Sequence, residues 1–179
     1  MKYDLKVINF FGAPGSGKST VASGLFNLMK VNGKSVELVT EYAKQMVWSR
    51  QHPDHFSNQL YITAKQNNKQ LHLVAHNIEY CITDSPIILG SMYVPEDYHE
   101  HFLPLLEEVF CSYNNINIFL KRTTPYDPIG RNQTEEESRQ IDQRILQMLD
   151  DHDLPYHVVD AAPTAHIDIF KWLFNEVPK

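Results

Sequence analysis

Short apolar runs alternate with longer segments of mixed apolar and polar residues along this 179-residue chain. Five short runs predict buried strands, near residues 7–11, 35–40, 79–84, 116–120 and 157–160. The intervening segments have apolar residues at helical spacing and predict helices near 21–30, 41–50, 56–77, 96–113, 134–151 and from Thr164 onward. Strands that alternate with helices in this way predict an α/β fold with a doubly wound parallel sheet, in a single domain.

Three of the predicted helices carry further detail. The helix near 96–113 contains Pro104, which we expect to kink it or divide it in two. A capping box of Thr134 and Glu137 predicts the start of the helix near 134–151. For the helix near 56–77, apolar spacing predicts a buried face of Leu60, Thr63, Ala64, Leu71, Val74, Ala75 and Ile78.

Composition and charge narrow the class of protein. A net charge of −6 argues against a constitutive nucleic-acid binder, which normally has a basic balance. Cys81 and Cys111 lie in apolar sequence without C-x-x-C spacing, which predicts reduced thiols in the core. No apolar run is long enough to span a bilayer, and the N-terminus continues into the first strand without a secretory segment. We therefore expect a soluble cytoplasmic protein with no membrane partner.

The segment after the first strand has the pattern G-x-x-x-x-G-K-[ST], the P-loop, and a predicted helix follows it. Its glycines let backbone N–H groups surround an anion at the helix N-terminus. We expect Lys18 to bind the β- and γ-phosphates of a nucleoside triphosphate and the Ser19 hydroxyl to bind Mg²⁺. The predicted ATP-binding residues are Gly12, Ala13, Pro14, Gly15, Ser16, Gly17, Lys18, Ser19 and Thr20.

Asp84 ends the predicted third strand and has the position of a Walker B acid, which would hold Mg²⁺ directly or through water. Many P-loop ATPases that drive motion have a glutamate after this aspartate, which activates water. Here Ser85 and Pro86 follow instead. This difference favours phosphoryl transfer to a small acceptor over a mechanical ATPase.

Phosphoryl transfer to a hydroxyl needs a proton acceptor nearby. Glu41 follows the predicted second strand, which we expect beside the P-loop strand, and it is the first candidate for the catalytic base. Asp84 is the second candidate. The sequence leaves the choice between them open.

A polar, basic segment with prolines and a glycine follows the predicted fourth strand, at about 121–134. Such a segment beside the phosphates would act as a lid that excludes water and neutralises charge in the transition state. We expect Arg131 to be the catalytic cation, with Arg122 as the second candidate.

The predicted helix near 56–77 offers weaker candidates for acceptor binding. The side-chain amides of Gln59 and Gln66 could pair with the edge of a base, and Trp48, before this helix, could stack on one. His72 and His76 have the spacing of metal ligands, but no third ligand is near them in sequence, so we do not expect a zinc site.

Taken together, these motifs resemble the small P-loop kinases of the nucleoside and nucleotide kinase superfamily. More narrowly, the chain is similar to phage and bacterial proteins grouped near the nicotinamide riboside kinase-like AAA-type domains. The matching pieces are GAPGSGKST at 12–20, VELVTEYAK at 36–44, ITDSP at 82–86 and FLKRTTPYDPIGRNQTEEES at 119–138.

The resemblance implies a parallel sheet of strand order 2-3-1-4-5, ATP with Mg²⁺ as the phosphate donor, and a lid after the fourth strand. In deoxynucleoside kinases an acid at the end of the second strand is the base, and Glu41 matches that position. Those kinases also have an arginine after the third strand, as nucleoside monophosphate kinases do. This chain has Ser85 and Pro86 there, so neither acceptor is implied.

The sequence therefore predicts an ATP-dependent phosphotransferase whose acceptor is nucleoside- or nucleotide-like. A kinase that phosphorylates a hydroxylated base in DNA is the alternative enzyme. Whichever activity it has, the protein would act in the host cytoplasm if phage-encoded. A nucleotide-switched binding module with little turnover is the alternative from another class. The identity of the acceptor and the oligomeric state remain open.

Overall fold

A computed structural model describes residues 2–42, 57–123 and 134–178. The predicted helix near 41–50 lies mostly outside these ranges, as does most of the predicted lid. The strands are β1 (Lys6–Phe11), β2 (Val36–Val39), β3 (Tyr80–Thr83), β4 (Asn114–Lys121) and β5 (Tyr156–Asp160). The α-helices among the described residues are α1 (Lys18–Val31), α2 (Gln59–Ala75), α3 (Phe102–Cys111), α4 (Glu135–Asp151) and α5 (Ala165–Phe174), and a 3₁₀ segment spans Ile87–Tyr93.

The five strands form one parallel sheet in the order β2-β3-β1-β4-β5. This order confirms both the α/β class predicted from the alternating pattern and the arrangement that the resemblance implied. It also shows that the second strand does not lie beside the P-loop strand, because β3 separates β1 from β2. The burial of the strands explains the order: three of the four residues of β3 are fully buried, as a central strand requires, whereas β2 and β5 are partly exposed and form the edges.

Alternate residues of β1 enter two different cores. Val7 and Phe11 belong to a cluster that also contains buried residues of α3 and α4. Ile8 and Phe10 belong to the other cluster, which contains buried residues of α1 and α5. Because apolar layers cover both faces of the sheet, the carboxyl ends of the strands are left as the place where polar groups can collect.

The helix expected near 96–113 begins only at Phe102, and residues 96–101 form turns and loop. Pro104 is the third residue of α3, where its missing N–H is one of those that a helix start leaves unbonded. The expectation of a helix from residue 96 that the proline kinks or divides is therefore wrong. The capping box of α4 is confirmed: the Thr134 N–H donates to Glu137 Oε2 at 2.6 Å and the Glu137 N–H donates to Thr134 Oγ1 at 3.2 Å.

The apolar face expected for α2 is confirmed only in part. Leu71 and Val74 are partly buried and pack against a core cluster, but Leu60 is 44% exposed. The most deeply buried residues of the helix are polar: Gln59, Gln66 and Gln70. The middle of the helix lies near the carboxyl ends of β2 and β3, where main-chain groups need hydrogen-bond partners that an apolar face cannot supply.

The two cysteines differ in exposure. Cys81 is buried in β3 as expected, and burial raises the pKa of its thiol to about 12. Cys111 is exposed, so the expectation of a core thiol is wrong there. It is the last residue of α3, and the core of that helix is formed by Phe102, Leu106 and Phe110 on another face. Within the described ranges, no helix is both long and apolar enough to cross a membrane.

Candidate nucleotide-binding site

The loop between β1 and α1 has the backbone conformation of an anion-binding turn. Gly12, Gly15 and Gly17 have φ angles of 138°, 85° and 90°, which side chains on an L-residue disfavour. A Cβ on Gly12 would lie 2.7 Å from Ser16 Oγ and 3.1 Å from the main-chain oxygen of Leu120, so no larger residue fits there. Gly17 is the N-cap of α1, which places the first N–H groups of the helix at the loop.

Lys18 is held over this loop by main-chain oxygens. Its Nζ donates to the carbonyls of Gly12 and of Ala13, the latter at 3.0 Å. Burial lowers the pKa of Lys18 to about 8, although the negative charges of Glu41, Asp84 and Asp142 favour its charged form. An anion bound in the loop would be attracted by the Lys18 ammonium group. It would in turn raise the pKa of Lys18 and so keep that group fully charged.

The two predicted metal ligands are in direct contact. The Ser19 hydroxyl donates to Asp84 Oδ2 at 2.6 Å, and the other oxygen, Asp84 Oδ1, is buried without a hydrogen-bond partner among the described residues. These oxygens suit Mg²⁺, which takes few ligands from protein and more from phosphate and water. Residues 2–42, 57–123 and 134–178 contain no group of three or more His, Cys, Asp or Glu side chains that could hold a metal ion.

Glu41 lies two residues beyond the end of β2. Its charge favours the ammonium form of Lys18 against the burial that lowers the pKa of that group, and it also favours the neutral form of the Tyr93 phenol. Glu41 and Asp84 thus act on the same ammonium group even though they follow different strands. The carboxyl ends of parallel strands lie along one edge of the sheet, which explains why Glu41 reaches this region without being on a strand adjacent to β1.

Arg122 is the first residue after β4, and its side chain is 10% exposed. Its Nη2 donates to the Ser138 hydroxyl and to the Pro14 carbonyl at 3.5 Å, and lies 3.8 Å from Asp142 Oδ2. The second catalytic candidate among the arginines therefore lies against the P-loop. The first, Arg131, lies outside the described residues, as does Trp48.

The two glutamines suggested as acceptor-binding groups are buried. Gln66 is 4% exposed, and its Oε1 accepts from the Tyr42 N–H at 3.1 Å. Its Nε2 donates to the Ser85 carbonyl at 3.3 Å and to Thr83 Oγ1 at 3.4 Å. Gln66 thus joins the ends of β2 and β3, and its amide atoms are occupied by the protein itself. Gln59 is 5% exposed and lies beside Gly90 of the 3₁₀ segment.

Three residues near the P-loop were not anticipated from the sequence. Ser138 and Asp142 of α4 contact the loop backbone, and Tyr93 of the 3₁₀ segment responds to the charge of Glu41. The spacing of Ser138 and Asp142, one helical turn apart on an acidic helix, is typical of a solvent-facing surface. Only the complete burial of a serine between charged neighbours distinguishes this turn, and burial is not visible in the sequence.

His72 and His76 make a local helix contact. The Nδ1 atom of His76 lies 2.7 Å from the main-chain oxygen of His72, at hydrogen-bonding distance. One ring nitrogen of His76 is therefore engaged with the helix backbone. This is the contact of a side chain near a helix end with the carbonyls that the end leaves unbonded.

Comparisons with known proteins agree with this geometry. A family model described as an AAA domain matches residues 7–165, and the chain belongs to this family. A crystal structure of thymidylate kinase from Ehrlichia chaffeensis matches with a TM-score of 0.65 and 17% identity, over 94% of this chain and 98% of that one. A crystal structure of NadR protein in complex with NR matches with a TM-score of 0.68 and 15% identity, over 96% of this chain and 51% of that one. This chain therefore spans about half the length of that NadR structure. Among curated proteins, no sequence matches.

The fold is thus that of the small P-loop nucleoside and nucleotide kinases, as the motifs predicted. At 15% and 17% identity, these likenesses establish the fold alone. The roles of the individual site residues stay predictions.

Proposed function

We propose that this member of the AAA domain family is an ATP- and Mg²⁺-dependent phosphotransferase that acts on a hydroxyl or phosphate of a nucleoside-like acceptor. One observation carries the proposal: Asp84, which accepts from the Ser19 hydroxyl at 2.6 Å, and Glu41, which follows a different strand, both lie near enough to Lys18 to favour its ammonium form against the burial that lowers its pKa. A site that only binds nucleotide needs one carboxylate for the metal. A second one, which follows the edge strand β2 beyond β3, supports transfer to an acceptor.

Each described residue has a separate task in this proposal. The loop N–H groups and Lys18 hold the phosphates, and Ser19 and Asp84 hold Mg²⁺, which would offset charge on the phosphate oxygens. Glu41 accepts the proton of the acceptor hydroxyl while the hydroxyl oxygen bonds to the γ-phosphorus of ATP. The bond between that phosphorus and the bridging oxygen of the β-phosphate breaks, and ADP leaves. Arg122 supplies a positive charge at the loop, and Arg131 remains the proposed cation of the lid.

Two observations support a nucleoside-like acceptor: the proteins with similar folds, and the aromatic residues near Glu41. One similar structure is a thymidylate kinase and the other is described as a complex with NR. In this chain the region beyond Glu41 is aromatic: Tyr42 and Tyr61 join their hydroxyl groups at 2.9 Å, and Tyr93 is 60% exposed. Aromatic side chains of this kind suit the flat ring of a base or a related heterocycle.

The test compares Glu41→Gln with Glu37→Gln. Glu37 is on the same edge strand but faces Lys30, with which it forms an exposed ion pair at 2.7 Å. Nucleosides, nucleotides and duplex DNA with hydroxylated bases are screened by mass spectrometry with ATP and Mg²⁺, and both variants are then assayed with the acceptor found. Because a general base contributes about 10²–10⁴-fold, we expect Glu41→Gln to lose on the order of 100-fold in kcat, and Glu37→Gln to keep wild-type activity.

Two outcomes would contradict parts of the proposal. If Glu41→Gln phosphorylates the acceptor at the wild-type rate, Glu41 is not the base and Asp84 becomes the candidate. If ATP binds but no compound in the panel is phosphorylated, the chain is a nucleotide-binding module and the proposed transferase activity is wrong. Activity only on DNA, with binding that weakens as salt rises, would identify the alternative enzyme.

A further inference from the structure

Helix α4 contacts the main chain of the P-loop at two points one helical turn apart. Asp142 Oδ1 accepts from the Ala13 N–H at 2.6 Å, and the Ser138 hydroxyl donates to the Pro14 carbonyl at 2.9 Å. Ser138 is completely buried, and the side chain of Asp142 is 20% exposed. The helix is therefore bonded to the outer half of the loop through groups that any sequence of the loop would retain.

Arg122 completes the arrangement. Its guanidinium bonds Ser138 and the Pro14 carbonyl and lies 3.8 Å from Asp142 Oδ2. We call Arg122, Ser138 and Asp142 the loop clasp. Arg122 lies at the start of the predicted lid, directly after β4, and the other two lie beyond its end, in the first turns of α4.

We infer that Asp142, with Ser138, is a positioning residue that holds the P-loop in its phosphate-binding shape. This inference rests on the proposed use of the loop for ATP. Lys18 bonds the carbonyls of Gly12 and Ala13, while the clasp bonds the Ala13 N–H and the Pro14 carbonyl. Residues 12–14, the outer half of the loop, are therefore held by Lys18 and by helix α4. The inner half, from Gly15 onward, is then set with its N–H groups toward the helix start.

The hydrogen bond from the Ala13 N–H to Asp142 matters mainly because it holds the loop in place, and less because Asp142 is charged. A carboxylate beside a phosphate site would repel the ligand, and the Asp142 charge does reach Lys18, where it favours the protonated form. Arg122 lies close enough to balance that charge, and it favours the ionised form of Asp142 against the burial that raises its pKa. An asparagine, which keeps an oxygen for the Ala13 N–H, should therefore replace Asp142 with little loss.

The test uses the full chain with the substitutions Asp142→Ala, Asp142→Asn and Ser138→Ala. Asp151→Asn is the control, because Asp151 is exposed at the far end of the same helix, where it pairs with Gln147. Calorimetry gives Kd for ATP with Mg²⁺, thermal denaturation gives Tm, and hydrogen exchange followed by NMR gives the protection of the Ala13 amide.

Loss of a hydrogen bond to a charged group predicts about tenfold weaker ATP binding in Asp142→Ala and roughly threefold in Ser138→Ala. Asp142→Asn should bind within about twofold of wild type, as should Asp151→Asn. Hydrogen exchange of the Ala13 amide should be faster than in wild type in Asp142→Ala, and unchanged in Asp142→Asn and Asp151→Asn. Once an acceptor is identified, KM for ATP should rise in Asp142→Ala by the same factor as Kd, and kcat at saturating ATP should stay unchanged.

The inference is overturned if Asp142→Ala binds ATP like Asp151→Asn, or if it lowers Tm while the folded fraction keeps wild-type affinity. If Asp142→Ala does not fold, the folded Asn variant decides: an asparagine that loses affinity as strongly as Ser138→Ala contradicts a geometric role. If wild-type protein binds no ATP, the proposed function fails, and the exchange of the Ala13 amide still decides whether Asp142 holds the loop.

Discussion

The proposed donor side and the proposed acceptor side of this site are built in different ways. On the donor side, nine consecutive residues from Gly12 to Thr20 form the phosphate loop, and most of its contacts use main-chain groups. On the acceptor side, Glu41, Tyr42, Gln66 and Tyr93 come from three separate segments, two of which are joined by the Gln66 side chain, which accepts from the Tyr42 N–H.

This difference matches what each side has to recognise. Phosphates are the same in every ATP-dependent enzyme, and a backbone loop with one lysine binds them whatever surrounds it. An acceptor is particular to each enzyme, so its site depends on which side chains the fold brings together. The first two predictions below test the donor side, the third tests the acceptor side, and the last tests the cost of building the donor side.

The largest effect is expected from Lys18→Ala. Removing a charge aimed at the transferred phosphoryl group should lower kcat/KM by roughly 10²–10³-fold, and it should weaken binding of ATP with Mg²⁺. Lys30→Ala is the matched control, since Lys30 lies at the other end of α1 in an exposed pair with Glu37. Equal activity of the two variants in a coupled ADP-release assay would remove Lys18 from the mechanism.

The next effect concerns the metal. Asp84→Asn should raise the Mg²⁺ concentration needed for ATP binding on the order of 100-fold. A residue that holds the metal should matter at least as much as one that only hydrogen-bonds a metal ligand, whose loss costs roughly 10–100-fold in metal affinity. Asp160→Asn removes the same charge from the end of β5 and should leave Mg²⁺ titration curves unchanged. An unchanged curve for Asp84→Asn would show that the metal site lies elsewhere.

On the acceptor side, Gln66→Leu leaves the Tyr42 N–H and the Ser85 carbonyl without the partner that joins β2 to β3. We expect a loss of about 1–3 kcal/mol in the free energy of unfolding, measured by urea denaturation, and a raised KM for the acceptor. KM for ATP should change little. Gln140→Leu, on the exposed face of α4, should stay within about 0.5 kcal/mol of wild type. A change in both KM values would mean that the two sides are not separable.

The smallest effect is a pH dependence of stability. Folding lowers the pKa of Lys18 from 10.5 to about 8, so the unfolded chain binds more protons between these values and stability rises with pH there. The free energy of unfolding of wild type minus that of Lys18→Met should rise by about 1 kcal/mol from pH 7 to pH 9. Taking the difference cancels Cys81, whose raised pKa acts in the opposite direction. A flat difference would show that the Lys18 ammonium is not destabilised by burial.

Prediction from sequence succeeded where a residue's task depends on its neighbours in the chain. The positive φ angles of the loop glycines and the capping box at Thr134 both depend on contacts within a few residues, so a short pattern specifies them. It failed for Gln66, which looked like a surface group or an acceptor contact. The role of Gln66 depends on main-chain groups 24 and 19 residues away, at Tyr42 and Ser85.

The sequence by itself determined the phosphate loop, the parallel α/β class and the strand-end acid Asp84, because local spacing and apolar periodicity are written directly in the chain. The tertiary structure decided that β3 separates β1 from β2, that α2 buries glutamines and that Asp142 holds the Ala13 amide. These depend on burial and on contacts across the fold, where a polar group is placed wherever a distant main-chain atom lacks a partner. The loop could thus be identified before folding was considered, and the helix that holds it could not.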